Sequence, residues 1–201
     1  HPMEFLVTLT ALDAQGVEVD RDGTRGQLGR LWHAHGDQRV IGLFTAENRG
    51  LLDKVLAGLP RRIRVAEVAE LAPHPDDPAA TGLTGRPGVG PEYLISTAVM
   101  VPDDTAADVV AQTEARESER ARALAVRGNL EKLADAKQWY AVCHGEVRPV
   151  IDDPAFTAAA LGIGERAQVF EAVAGDQASG DQFPDILCGS WLARRLQGDG
   201  F

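Results

Sequence analysis

The sequence predicts an α+β fold with antiparallel sheets, divided into two small modules, and three observations predict it. Runs of strand composition recur along the chain, other segments carry apolar residues at helical spacing, and one stretch dense in proline and glycine separates the two halves. The first half reads as β, β, β, α, β. Phe5-Leu6-Val7-Thr8-Leu9-Thr10 has strand composition, and Gln27 to His35 is the hairpin partner of the buried run Arg39-Val40-Ile41-Gly42-Leu43-Phe44. Leu51, Leu52, Val55, Leu56 and Leu59 then recur at helical spacing. Pro60 ends that helix, and Ile63 to Leu71 alternates as a half-buried strand.

Proline and glycine crowd the chain from Ala72-Pro73-His74-Pro75-Asp76-Asp77-Pro78 to Gly85-Arg86-Pro87-Gly88-Val89-Gly90-Pro91, which forbids regular ladders and helices there. The expected division is therefore a first module over 3–78, a linker over 79–91 and a second module over 92–201. In the second module Tyr93 to Val101 is a strand. A helix follows, its start signalled by Asp103, Asp104 and Thr105 and its stop by Gly128. Farther on, the pattern predicts a strand over Gln138 to Cys143, a short helix over Asp153 to Leu161, a strand over Ala167 to Val173 and a terminal helix over Asp185 to Leu196.

Composition limits what the chain can do. With 201 residues, 44% of them hydrophobic, it can bury a core, so disorder is excluded. A net charge of -10 repels phosphate backbones and anionic lipid, so neither nucleic acid nor a membrane is expected as a partner. Cys143 and Cys188 are too few for a disulfide framework. No secretory pattern opens the chain, and no apolar run approaches the roughly 20 residues that cross a bilayer, so a cytoplasmic location is expected.

The run Leu31-Trp32-His33, then Ile41-Gly42-Leu43-Phe44-Thr45-Ala46, then Leu51 through Leu56-Ala57-Gly58-Leu59-Pro60, then Val65 to Leu71 and Pro73-His74-Pro75-Asp76-Asp77-Pro78, resembles the C-terminal two-thirds of a muconolactone isomerase. The resemblance implies a ferredoxin-like βαββαβ fold, assembly of sheets into α+β barrels, and a lactone double-bond shift by proton transfer with no cofactor and no metal. Only Asp13 to Arg25 separates the first strand from the Leu-Trp segment, too little for the family's long first helix. Tyr93 to Val101 with the helix from Gln112 to Leu130 resembles that missing strand and helix. The chain is thus similar to two diverged modules that could pair as an intrachain α+β barrel, with a homodimer as the default assembly.

On a helical wheel, Ala106, Val110, Thr113, Ala121 and Leu124 share one face and Glu117 lies in its middle, whereas Glu119 points the opposite way. A carboxyl group on an apolar stripe is desolvated, which raises its pKa toward the range of a general acid and base at neutral pH. Glu117 is therefore the candidate catalytic residue, with Glu114 bordering the same face. The alternatives are an ion pair of Glu117 with Arg116 or Arg120, or a place at a rim where water reaches it; Arg120 is also a candidate substrate contact. In Trp32-His33-Ala34-His35 the two histidines fall on one side of a strand and Trp32 on the other. His33 is a candidate acid or base and Trp32 and His35 candidate pocket residues; a metal there would need a third donor such as His74 or Asp76. The family usually has arginine where His33 stands, and this departure argues against muconolactone itself. Cys143 and His144 are neighbours on a strand and face opposite ways, so Cys143 is expected to be a buried core thiol.

These residues lead to one reading and two competitors. The first is a cofactor-independent isomerase or cyclase that moves a proton on a lactone-like or polyketide-like small molecule in specialised metabolism. The second is a cofactor-free monooxygenase of the α+β barrel type, and the third a non-enzymatic binding or assembly module.

Overall fold

The structure, a computed structural model, describes residues 2–13, 17, 19, 24, 27–33, 38–83, 90–136, 138–145 and 164–172. In chain order the elements are β1 (Met3–Ala11), β2 (Leu28–His33), β3 (Arg39–Ala46), α1 (Arg49–Ala57), β4 (Ile63–Pro73), β5 (Glu92–Met100), α2 (Ala107–Arg127), β6 (Leu130–Asp135), β7 (Trp139–His144) and β8 (Gly164–Ala172). They fall into two compact units, one of His1–Leu71 with the chain from Phe170, the other of Ala72–Val169. The strand pairs described below are all antiparallel, as the α+β reading requires.

In the first unit β1 pairs with both β3 and β4, β2 pairs with β3, and Trp32 and His33 of β2 stand opposite Ala172 and Glu171 of β8. Alternation along β1 sends Phe5, Val7 and Leu9 to one face, where Leu52 and Leu56 of α1 meet them. All but Leu56 of these five are fully buried. The helix starts at Asn48, whose side chain accepts the Leu51 amide at 3.0 Å. Gly42 leaves room for the Phe44 ring, which a Cβ would approach to 2.7 Å.

In the second unit β7 lies between β5 and β6. Ala121, Leu124 and Ala125 of α2 pack on Tyr93, Ile95, Leu130, Leu133, Ala141 and Cys143. Cys143 is the expected core thiol, and burial pushes it up to about 12. Gly128 ends α2 in the left-handed region at φ 81°, and the Asn129 amide closes the turn on the Leu124 carbonyl at 2.9 Å.

Two expectations change. The acids before α2 do not cap it: the N-cap is Ala106 without a side-chain bond, and Pro102–Thr105 forms a turn outside the helix. Strand β6 was not expected, because Leu130-Glu131-Lys132-Leu133-Ala134-Asp135 is mostly poor strand formers; pairing with β7 decides its conformation. The helices expected over 153–161 and 185–196, and residues 84–89 of the expected linker, lie outside the described residues.

The second unit repeats the first in detail. β1-β3-β2 and β5-β7-β6 share one order, and β2 and β6 share one burial pattern. The register also breaks at the same place, between Leu28 and Arg30 and between Leu130 and Lys132. Among the described residues no helix is long and apolar enough to cross a membrane.

Leu124 is 1% exposed in the second core. Leu124→Ala should lower stability by about 2–5 kcal/mol in urea denaturation, because the sheet beneath α2 cannot close the void; a loss below about 1 kcal/mol would show that α2 is loosely held.

Candidate active site

The site is built from two anchored segments of the second unit. After β4 the chain turns at His74–Asp77, with the Asp77 amide donating to the His74 carbonyl at 3.0 Å. The buried Asp77 carboxylate accepts the Leu133 amide at 2.8 Å and so fixes this turn to β6. Asp76 then faces α2, where the Ser118 hydroxyl donates to Asp76 Oδ2 at 2.5 Å and Arg122 approaches Oδ1 at 3.9 Å. The Asp76 amide donates to His74 Nδ1 at 3.0 Å. A ring nitrogen that accepts carries no proton, so the neutral imidazole presents N–H at Nε2, which lies 4.0 Å from Asp135 Oδ1.

Between these segments lies a cavity of about 540 Å³, within the range of about 300–1,000 Å³ common to small-molecule sites. His74, Asp76, Thr113, Glu114, Glu117, Ser118 and Asp135 supply its polar lining. Val101, Val110, Ala121, Leu133 and Trp139 supply much of the apolar remainder.

Glu117 occupies the place the helical wheel gave it. Thr113 and Ala121, one turn to either side, are buried, and Glu117 itself is half-buried. Burial, with the negative charges of Glu114 and Asp76 beside it, pushes its carboxyl from 4.5 up to about 7. A close ion pair with Arg116 or Arg120, one alternative weighed from sequence, would have acted in the opposite direction. A carboxyl with pKa near 7 on a cavity wall can both take and return a proton at neutral pH.

Of the other candidates, Glu114 lines the same cavity, while Arg120 is half-buried on α2 and outside the lining. Trp32 and His33 belong to β2 of the first unit; Trp32 is fully buried, and His33 Nδ1 lies 3.5 Å from the Glu171 carbonyl oxygen. His35 lies outside the described residues. His74 and Asp76, weighed from sequence only as metal donors, are instead brought beside Glu117. Ser118 and Asp135 were missed as site residues, since nothing local in the sequence joins them to residues 74–76; Trp139, which the sequence offers as an aromatic that could line a pocket in the second module, is in the lining.

A second cluster lies at the far end of β7. Donor atoms of Glu92, Glu131 and His144 fall within 4.8 Å of one another, a set of the kind that binds divalent cations. His144 Nε2 and Glu131 Oε2 are already 2.5 Å apart as a hydrogen-bonded pair.

Comparison with known proteins bears on fold and on the first module. The family model for Muconolactone delta-isomerase matches residues 13–77, less than half of the chain. No curated protein matches the chain in sequence. Among solved structures, a chlorite dismutase variant from Candidatus Nitrospira defluvii superposes with a TM-score of 0.56 at 10% identity, covering 86% of this chain and 91% of that one. A heme-binding protein from Thermus thermophilus superposes with a TM-score of 0.52 at 12% identity, covering 86% and 91%. At such identities the likeness is one of fold.

The raised pKa has a sign for stability. The folded chain holds the Glu117 proton more tightly than the unfolded chain, so this stabilisation is complete below about pH 4.5 and is lost as pH rises through about 7. Glu117→Gln should leave the urea midpoint nearly unchanged at about pH 4 and raise stability by about 1 kcal/mol at about pH 8, a value reduced for the partly solvated carboxyl. In NMR titration Glu114→Gln should move the Glu117 midpoint downward; an unmoved midpoint would show that Glu114 does not act on it.

Proposed function

We propose that the second unit is a cofactor-independent isomerase or cyclase centre that moves a proton on a lactone-like or polyketide-like molecule. The observation that carries this reading is Glu117: a carboxyl held near neutrality on the wall of a ligand-sized cavity. Glu117 removes a proton from a carbon next to a carbonyl group. The C–H electron pair passes into the conjugated system as an enolate, and Glu117 delivers a proton, exchangeable with solvent while the half-buried carboxyl holds it, to another carbon, so the double bond moves with no change in oxidation state. His74, neutral with its proton on Nε2, donates to the enolate oxygen, as a neutral imidazole can without itself becoming a strong acid. Trp139, Val110 and Leu133 hold the apolar body of the substrate.

The match of residues 13–77 to the muconolactone delta-isomerase model supports the reaction class, and the repeated strand order and register break support a tandem origin of the two modules. Arg120, His33 and Trp32, site candidates from the sequence, do not line this cavity, and the proposed reaction gives them no step.

One similar structure is named as a heme-binding protein, and the residues of this cavity decide whether heme fits here. Heme needs an axial donor with a free lone pair and partners for its two carboxylates. His74 is the imidazole on this cavity; its Nδ1 is occupied by the Asp76 amide, and its Nε2 carries the proton. Four acidic side chains would face the propionates. These residues do not fit heme, and it enters no step of the proposed reaction.

Incubated in D2O with a panel of lactones that includes muconolactone and aromatic polyketide-type lactones, the protein should introduce deuterium at the carbon that Glu117 reprotonates, as read by proton NMR. Glu117→Gln should reduce the rate by at least about a hundredfold. Exchange undiminished in that variant would refute the assignment, and oxygen consumption in the same samples would turn the reading toward a cofactor-free monooxygenase.

A further inference from the structure

The charges on the cavity wall also say what kind of molecule it accepts, an inference that rests on the reading of Glu117 as its acid and base. Asp76, Glu114, Glu117 and Asp135 line the cavity, and among the described residues no lysine or arginine belongs to its lining. Arg122 touches Asp76 from outside, with its side chain 61% exposed. Ser118 commits its proton to the same carboxylate. His74 accepts at Nδ1 and is therefore the neutral ring described above. An anionic ligand would meet several fixed carboxylates across partly displaced water, and each within several Å lowers affinity by about tenfold.

A cationic ligand would be attracted by these carboxylates but is a poor substrate for the proposed reaction. Its charge would favour the ionised form of Glu117 and pull the carboxyl away from neutrality, which removes the match that makes it an acid and a base. The apolar wall of Val110, Ala121, Leu133 and Trp139 suits a flat, uncharged body.

We propose that the ligand of this cavity is an uncharged carbonyl compound, an ester or lactone without a free carboxylate, and that Glu114 and Asp135 exclude its anionic counterparts. Asp76 contributes to the same exclusion but is held in place by Ser118, whereas Glu114 and Asp135 are more exposed and neither takes part in the Asp77–Leu133 bond that anchors the turn.

The test uses the full chain, with muconolactone as its carboxylate and as its methyl ester, titrated by calorimetry at about pH 7.5. The ester should bind at least about tenfold more tightly than the carboxylate. In the double variant Glu114→Gln/Asp135→Asn that ratio should shrink by at least about fivefold, with ester affinity changed less than about threefold and the circular dichroism unchanged. Equal or tighter binding of the carboxylate by the wild type, no binding of either form, or an unchanged ratio in the double variant would each overturn the proposal. Deuterium exchange on the bound ester separates the two readings: preferential ester binding without exchange leaves charge selection standing and removes the acid–base role of Glu117.

Discussion

The hydrogen bond from the Leu133 amide to the buried Asp77 carboxylate is the interaction on which the site depends. A carboxylate withdrawn from water is tolerated only where donors replace the lost hydration, and a charge-assisted bond of this kind contributes about 1.5–3 kcal/mol. It holds the turn after β4 against β6. The His74 amide, donating to the Leu133 carbonyl at 3.5 Å, ties the start of the turn to the same residue, and together the two bonds set His74 and Asp76 facing α2. Ser118 completes the arrangement from the helix side by donating to Asp76.

Glu117 inherits its properties from this framework. The stripe that attaches α2 to the sheet also draws Glu117 toward the core, and its immediate neighbours on that stripe, Thr113 and Ala121, are small. Larger residues there would fill the cavity and small ones leave it open. Thr113 avoids burying an unsatisfied hydroxyl by donating it to the Val109 carbonyl at 2.9 Å. The result is a carboxyl that is desolvated without being sealed in, beside Asp76, which Ser118 holds, and the more exposed Glu114.

Much of this was legible in the sequence, and the limits have physical causes. Period-2 and period-3.6 patterns located β1, β3, α1, β4, β5 and α2, and the wheel placed Glu117 on the inner face because a long helix shows its stripe unambiguously. β6 escaped because its residues carry little strand preference and its conformation is set by pairing with β7, a contact between separate segments. The partners of Glu117 were only half legible. His74 and Asp76 are conspicuous residue types, but their position next to α2 follows from Asp77 reaching Leu133, 56 residues away. No local pattern encodes such a pairing. The helix-start signal before α2 misled for the opposite reason: Asp103, Asp104 and Thr105 have capping chemistry, yet the Pro102 turn absorbs them before the helix begins.

The same carboxylates that raise Glu117 also constrain what the proposed reaction can be. An enolate that accumulated beside Asp76 and Glu114 would be destabilised by both, so a lasting anion is the wrong product for this cavity. A brief one is tolerable, because the His74 N–H can meet the oxygen where charge develops and the protonated Glu117 stands ready to give its proton back. Chemistry that begins and ends with an uncharged molecule therefore suits the site better than chemistry that releases an anion. Double-bond migration and cyclisation meet that condition, since in each the proton removed at one atom is restored at another, and net charge on the substrate is the same before and after.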